Sequence, residues 1–304
     1  MTQSQVINNT FINHISVLGA GTMGAGIAQS CLSAGFSVCM FDVSQAVLEK
    51  AKATIEKGLS KSLEKNKISD AQYSKALTQL TLSNELASAV QSADLIIEAV
   101  PEDLALKQQL FESVYQATSN LSSQNSHVIY SSNTSSISIT AIGQKCPFPE
   151  RFAGLHFFNP VALMPLVEII QSKQTSSETL NTLTQFVSLL GKKPVLAKDS
   201  PGFIVNRVAR PFYGEALKIL GEYGETPETL DAIDLIMKTC GHFKMGPFEL
   251  MDLIGIDVNF SVTQSVYNAY FQEPRYQPHP IQQAKVNAGH LGRKSGKGFY
   301  DYAR

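Results

Sequence analysis

The stretch HISVLGAGTMG, residues 14–24, decides the fold. Its apolar run at 14–18 predicts a buried strand. The run ends on Gly19-Ala20-Gly21-Thr22-Met23-Gly24, and a helical pattern follows over 22–34. Gly35 closes it, a residue suited to the position after a helix C-terminus. A strand, a glycine turn and a helix in this order make a phosphate cradle. Gly19 permits the tight turn, Gly21 lets a pyrophosphate approach the backbone, and Gly24 allows the helix to pack closely. At Thr22 and Met23 the helix start offers free N–H groups and a partial positive charge to an anion.

Working outward, a second strand at 37–41 (SVCMF) ends at Asp42. A carboxylate at that distance from the glycines suits a ribose 2′-hydroxyl. Val43, Ser44 and Gln45 carry no positive charge to balance a 2′-phosphate. The reading is therefore NAD rather than NADP. FAD shares the glycine fingerprint, and the plain alternative is a glycine turn that binds nothing. A helix at 45–65 and strands at 95–99, 128–130, 152–155 and 194–196 continue the alternation. This predicts an α/β fold, a Rossmann-type doubly wound parallel sheet.

Near residue 199 the pattern changes. Asp199 and Ser200 before Pro201 read as the cap of a helix running to about 220. Thr226-Pro227 repeats the signal, and only helices follow to 288. The expected organisation is an NAD-binding domain over 1–198. A smaller all-helical C-terminal domain over 199–304 would serve dimerisation and substrate, with a cleft between the two.

Composition fits an ordinary globular protein. Of 304 residues, 43% are hydrophobic and 17% charged, which excludes a disordered chain. At about 100–200 residues per domain, two domains are expected. The net charge is -1, so no basic surplus argues for a nucleic-acid partner. The N-terminal MTQSQVINNTFINH lacks the features of a secretory signal, and no apolar run is long enough to span a membrane. Four cysteines, Cys31, Cys39, Cys146 and Cys240, form no C-x-x-C pair. They read as reduced thiols in a cytoplasmic protein, and no clustered ligand set suggests a metal.

One histidine differs from the other five. His156, in GLHFFNP, lies at the C-terminal end of an expected strand, where parallel sheets place their sites. Glu168 lies in the apolar run LVEII, where an unpaired carboxylate is costly. Two short strands joined by a turn at 159–165 would bring them together, with His156 a general base oriented by Glu168. The alternative is a buried structural histidine and a surface glutamate. Hydroxyls of SSNTSS (131–136) and the amide of Asn206 are candidates to hold a substrate oxygen. Capping residues are the alternative there.

In order, GAGTMGAG, SSNTSS, RFAGLHFFNP, LVEII, DSPGFIVNR, MGPFELMDLIG and GRKSGKGFY resemble the L-3-hydroxyacyl-CoA dehydrogenase family, 3-hydroxybutyryl-CoA dehydrogenases included. NRVARPFYGEA and DLIGIDVNFSVTQSVYNA are similar to the branch that oxidises 3-hydroxyadipyl-CoA in aerobic phenylacetate breakdown. The resemblance implies a homodimer that oxidises the 3-hydroxyl of an acyl-CoA substrate with NAD. It implies His156 as base, Glu168 as its partner, and Ser135 and Asn206 as substrate contacts. Asn159, beside His156 in the same motif, is implied as a cofactor contact. Glu102 and Lys107, in PEDLALK, match cofactor-side positions, as Ser135 does. Lys294 in GRKSG matches a position near the nicotinamide end. One departure is Gly58, where the family has a serine that can touch CoA; Lys65 remains for the CoA phosphates.

Arg210 stands where many relatives carry an aliphatic residue. In the cleft it would pair with a distal carboxylate on the acyl chain; otherwise it forms a salt bridge at the dimer interface or faces solvent. Two other functions compete: a dehydrogenase of free 3-hydroxy acids, and a non-catalytic NAD-binding relative. Free-acid enzymes often use a lysine as acid/base, so a His/Glu pair favours the CoA reading.

Overall fold

The computed structural model describes residues 12–119 and 127–302. Most of the N-terminal stretch discussed above lies outside them. The chain divides into two units, the first ending at Ser200 and the second beginning at Pro201.

The first unit opens with β1 (His14–Leu18), α1 (Thr22–Ser33) and β2 (Ser37–Phe41). Then come α2 (Gln45–Glu64), α3 (Asp70–Thr78), β3 (Leu80–Ser83), α4 (Leu86–Val90), β4 (Leu95–Glu98) and α5 (Leu104–Ser119). It continues with β5 (Ile129–Ser132), α6 (Ile139–Ile142), β6 (Phe152–Phe157), β7 (Leu166–Gln171), α7 (Ser177–Leu189) and β8 (Lys193–Lys198). The strands form one sheet in the order β3-β2-β1-β4-β5-β6-β7-β8. This is the expected Rossmann-type sheet, whose strand order reverses between β1 and β4, where such sheets bind ligands.

One pair breaks the parallel pattern. β6 and β7 run antiparallel, because residues 158–165 between them are too few for a helical crossover. Elsewhere the apolar runs explain the strands. β4 is buried along its whole length, as expected of a strand covered on both faces. β5 runs two residues further than its apolar pattern, into Ser131 and Ser132. Both serines are buried, and the Ser131 hydroxyl donates to the Ile96 carbonyl at 2.9 Å. The core joins β1, β2, β4, β6 and β7 to α1, α2 and α7.

The second unit is helical: α8 (Val205–Tyr223), α9 (Pro227–Thr239), α10 (Pro247–Ile254), α11 (Ile256–Ala269) and α12 (Pro280–Asn287). Its own core gathers Leu217, Leu220, Phe248, Met251 and Ile256. The expected helix start at Pro201 is corrected. Gly202 and Phe203 adopt φ of +75° and +48°, which breaks a right-handed helical path, and α8 begins at Val205. Asp199 does not cap α8. Its carboxylate accepts from the Ser138 hydroxyl and from the Ile139 and Thr140 N–H groups, so it caps α6.

Candidate active site

The glycine turn has the shape its sequence implies. Gly19 has φ +106°, and a Cβ there would lie 2.8 Å from the Ala99 carbonyl oxygen. A Cβ at Gly24 would overlap the Gly19 carbonyl. Around Gly21, by contrast, a Cβ would meet nothing within 4 Å, leaving room for a ligand against the backbone. No side chain caps α1, whose N-cap is Gly21, so its first N–H groups remain free for an anion. Thr22 is exposed there and Met23 is half-buried against the core. Asp42 closes the turn: its carboxylate accepts from Ala20 N–H at 2.9 Å and from Ser44 N–H at 3.0 Å. Val43 beside it is 84% exposed. This donor set and open backbone fit a dinucleotide.

β6 and β7 build the second part. Their antiparallel register sets His156 directly opposite Glu168. Directly opposed residues share a face of the sheet, and the side chains meet: His156 Nδ1 lies 2.7 Å from Glu168 Oε2. Both are buried, at 3% and 0% exposure. The other ring nitrogen, Nε2, lies 3.1 Å from the Ser135 hydroxyl. A carboxylate on Nδ1 selects the tautomer that leaves Nε2 as the proton acceptor. The surface-glutamate alternative is thus incompatible with the geometry.

A polar network holds Ser135. Glu102 Oε1 accepts from the Thr134 and Ser136 hydroxyls and from the Ser135 and Ser136 N–H groups. Burial opposes the Glu102 charge, but the Lys107 ammonium and these donors outweigh it and hold its pKa below the usual carboxylate range. Lys107 is 1% exposed and pairs with Glu98 at 2.6 Å and Glu102 at 3.4 Å. Its ammonium also donates to the Val100 carbonyl at 3.2 Å, so Lys107 is bonded within this network.

Glu98 was not anticipated from the sequence, and Ser132 and Asn133, expected only as candidates to hold a substrate oxygen, have internal partners. Glu98 Oε2 accepts from Ser132 Oγ at 2.5 Å, and Asn133 Oδ1 accepts from Phe157 N–H at 2.8 Å, beside His156. The available signal was an acidic residue inside the apolar run LIIEA. Asn159 is exposed in the turn between β6 and β7.

Gly58 has a local explanation. A Cβ at this position on α2 would overlap the carboxamide of Gln29 on α1, so glycine permits that helix contact. Lys65 is exposed at the C-cap of α2.

In the helical unit, Asn206 is half-buried at the start of α8. Lys294 pairs with Asp257 at 2.6 Å. Arg210 requires a correction, because it neither faces solvent nor presents a free fork. It is 4% exposed. Its Nε donates to the Asn206 carbonyl, and one terminal nitrogen donates to the Asn259 carbonyl and the Thr263 hydroxyl. Burial lowers its pKa to about 10. Arg210 ties α8 to α11.

All four cysteines are free thiols. Among the described residues, no three metal-ligating side chains cluster, and no helix is long and apolar enough to cross a membrane.

Comparison with known proteins shows the family of the chain. Residues 14–200 match the family model "3-hydroxyacyl-CoA dehydrogenase, NAD binding domain", and 202–302 match "3-hydroxyacyl-CoA dehydrogenase, C-terminal domain". The chain is 42% identical over 291 residues to 3-hydroxyadipyl-CoA dehydrogenase of Escherichia coli, covering 96% of this chain and 59% of that protein. It is 38% identical to the human mitochondrial hydroxyacyl-coenzyme A dehydrogenase, covering 99% of this chain and 95% of that one. A crystal structure of (S)-3-hydroxybutyryl-CoA dehydrogenase from Ralstonia eutropha superposes with a TM-score of 0.87 at 38% identity, covering 96% of this chain and 100% of that one. The chain belongs to the 3-hydroxyacyl-CoA dehydrogenase family of NAD-dependent oxidoreductases, and its first unit is the family's NAD-binding domain.

Proposed function

We propose that the protein oxidises the 3-hydroxyl of an L-3-hydroxyacyl-CoA to the 3-ketoacyl-CoA, with NAD as acceptor. The observation that carries the reading is the buried His156–Glu168 pair, 2.7 Å apart, with Ser135 on the second ring nitrogen at 3.1 Å. NAD supplies the hydride acceptor. His156 Nε2 takes the proton of the C3 hydroxyl. Glu168 offsets the charge that forms on the ring and keeps Nδ1 protonated. Ser135, its backbone fixed by Glu102, holds the substrate oxygen near Nε2. Asn206 is assigned as a further substrate contact by its NR motif. In the reverse direction His156 returns the proton.

The test is NADH formation with three additions: a 3-hydroxyacyl-CoA, the matching free 3-hydroxy acid, and no substrate. The expected result is turnover with the thioester alone. Turnover of the free acid at equal kcat/KM would move the assignment to the free-acid enzymes, and none with either would support a non-catalytic relative.

The partner we assign is a second copy of the chain. Val208, Leu235, Ile236, Leu253 and Val258, spread over α8 to α11, are each 47–69% exposed. Exposed apolar surface on this scale suits an interface.

A further inference from the structure

The turn that joins His156 to Glu168 is held from below by a lysine that no motif singles out. Lys192, between α7 and β8, sends its ammonium to the carbonyls of Val161 at 2.6 Å and Met164 at 2.8 Å. Both carbonyls belong to the turn at 158–165. The next residue continues the clamp, since Lys193 N–H donates to the Pro165 carbonyl at 2.6 Å. Within the turn, the Leu163 and Met164 N–H groups donate to the Pro160 carbonyl.

On its other side the turn rests on α1, the helix that opens at the glycine loop. Val161 is 3% exposed and belongs to the core. Its Cβ and Cγ2 would lie 2.9 Å from a Cβ at Gly26, so Val161 sits on the bare backbone of α1 one turn into the helix. One residue therefore has its carbonyl fixed by Lys192 and its side chain seated on α1. Lys192 is half-buried, and burial holds its pKa below the ordinary lysine value. Donation to two carbonyls offsets that cost by charge-assisted hydrogen bonds.

We propose that Lys192 is a positioning residue for the dehydrogenase reaction: it pins the β6–β7 turn against α1 and so sets the His156–Glu168 pair in register with the glycine loop. It touches neither substrate nor cofactor. Its effect falls on the alignment of the proton acceptor with the bound dinucleotide, and reaction rates are steeply sensitive to such alignment. The proposal rests on the assignment of His156 as the base.

The experiment compares Lys192→Met, Lys192→Arg and His156→Ala with the unmodified enzyme. It measures kcat, KM for the acyl-CoA, Kd for NADH by fluorescence, and the deuterium isotope effect of substrate labelled at C3. Lys192→Met should lower kcat about tenfold and leave NADH Kd and acyl-CoA KM within about twofold. Its isotope effect should rise, because the chemical step becomes rate-limiting. Lys192→Arg keeps the charge and the donors and should restore kcat to within about threefold.

A folded Lys192→Met enzyme with unchanged kcat overturns the proposal. So does one that loses NADH binding in step with kcat, or an arginine variant as impaired as the methionine one. If the methionine variant does not fold, Lys192→Gln, whose shorter uncharged side chain cannot bridge both carbonyls, is held to the same criteria. A fully active His156→Ala enzyme would instead remove the assignment of the base, which separates the two failures.

Discussion

Asp42 is held by two backbone N–H groups, Ala20 from the glycine turn and Ser44 from the cap of α2. It therefore shapes the phosphate loop, and we propose that it also reads the cofactor ribose. With no basic side chain in Val43-Ser44-Gln45, a 2′-phosphate would meet a negative charge alone. The ratio of kcat/KM for NAD over NADP should be large, and Asp42→Ala should weaken NADH binding by about 1–3 kcal/mol. Equal kcat/KM for both cofactors in the unmodified protein would remove this role. Arg210 gives a second prediction at the same scale. Its bonds to Asn206, Asn259 and Thr263 are internal to the helical unit. Arg210→Leu should thus cost about 1–3 kcal/mol of stability and leave acyl-chain preference unchanged. Denaturant titration reads the first, and kcat/KM for acyl-CoAs with and without a distal carboxylate reads the second. A shifted preference at unchanged stability would restore the ligand-reading role.

Among the elements, α12 carries a pH-sensitive cap. His279 precedes Pro280, and its Nδ1 accepts from Ile281 N–H at 3.4 Å. Burial, with Lys218 as a second cause, lowers the His279 pKa below 6.5 against the opposing pull of Glu225. The folded state thus favours neutral imidazole. The stability this contributes is present above about pH 6.5 and is lost as pH falls through the lower folded value. His279→Asn keeps an acceptor without a titration. Its melting temperature should fall less than the wild-type value between pH 7.5 and 5.5; an equal fall would exclude the cap as the cause. The elements that the sequence reveals share a physical trait. HISVL, SVCMF and LIIEA are apolar runs bounded by glycine or polar turns, and burial alone dictates them. β3 (LTLS) went unseen because it is a half-buried edge strand of alternating character. The α8 start was misplaced because positive φ at Gly202 and Phe203 overrode a good cap signal. The His156–Glu168 meeting was legible, since a short turn forces antiparallel pairing. Glu98, Lys192 and the Phe157 partner of Asn133 were not, because these side chains meet backbone groups or residues distant in sequence.

At the scale of the whole molecule, two units matching two family domains differ in what they carry: the sheet holds the glycine loop and the His/Glu pair, and the helical unit carries the proposed self-association surface. Light scattering at micromolar concentration should give about twice the 33.1 kDa chain mass, and a single-chain mass would count against that surface. In the proposed reaction His156, oriented by Glu168, accepts the proton while C3 is oxidised. The most direct test of this role is the single-turnover rate of NADH formation from a 3-hydroxyacyl-CoA by His156→Ala, with NADH binding measured in parallel. The expected rate is lower by roughly a hundredfold or more with NADH affinity nearly unchanged. A variant that forms NADH at the wild-type rate would contradict it.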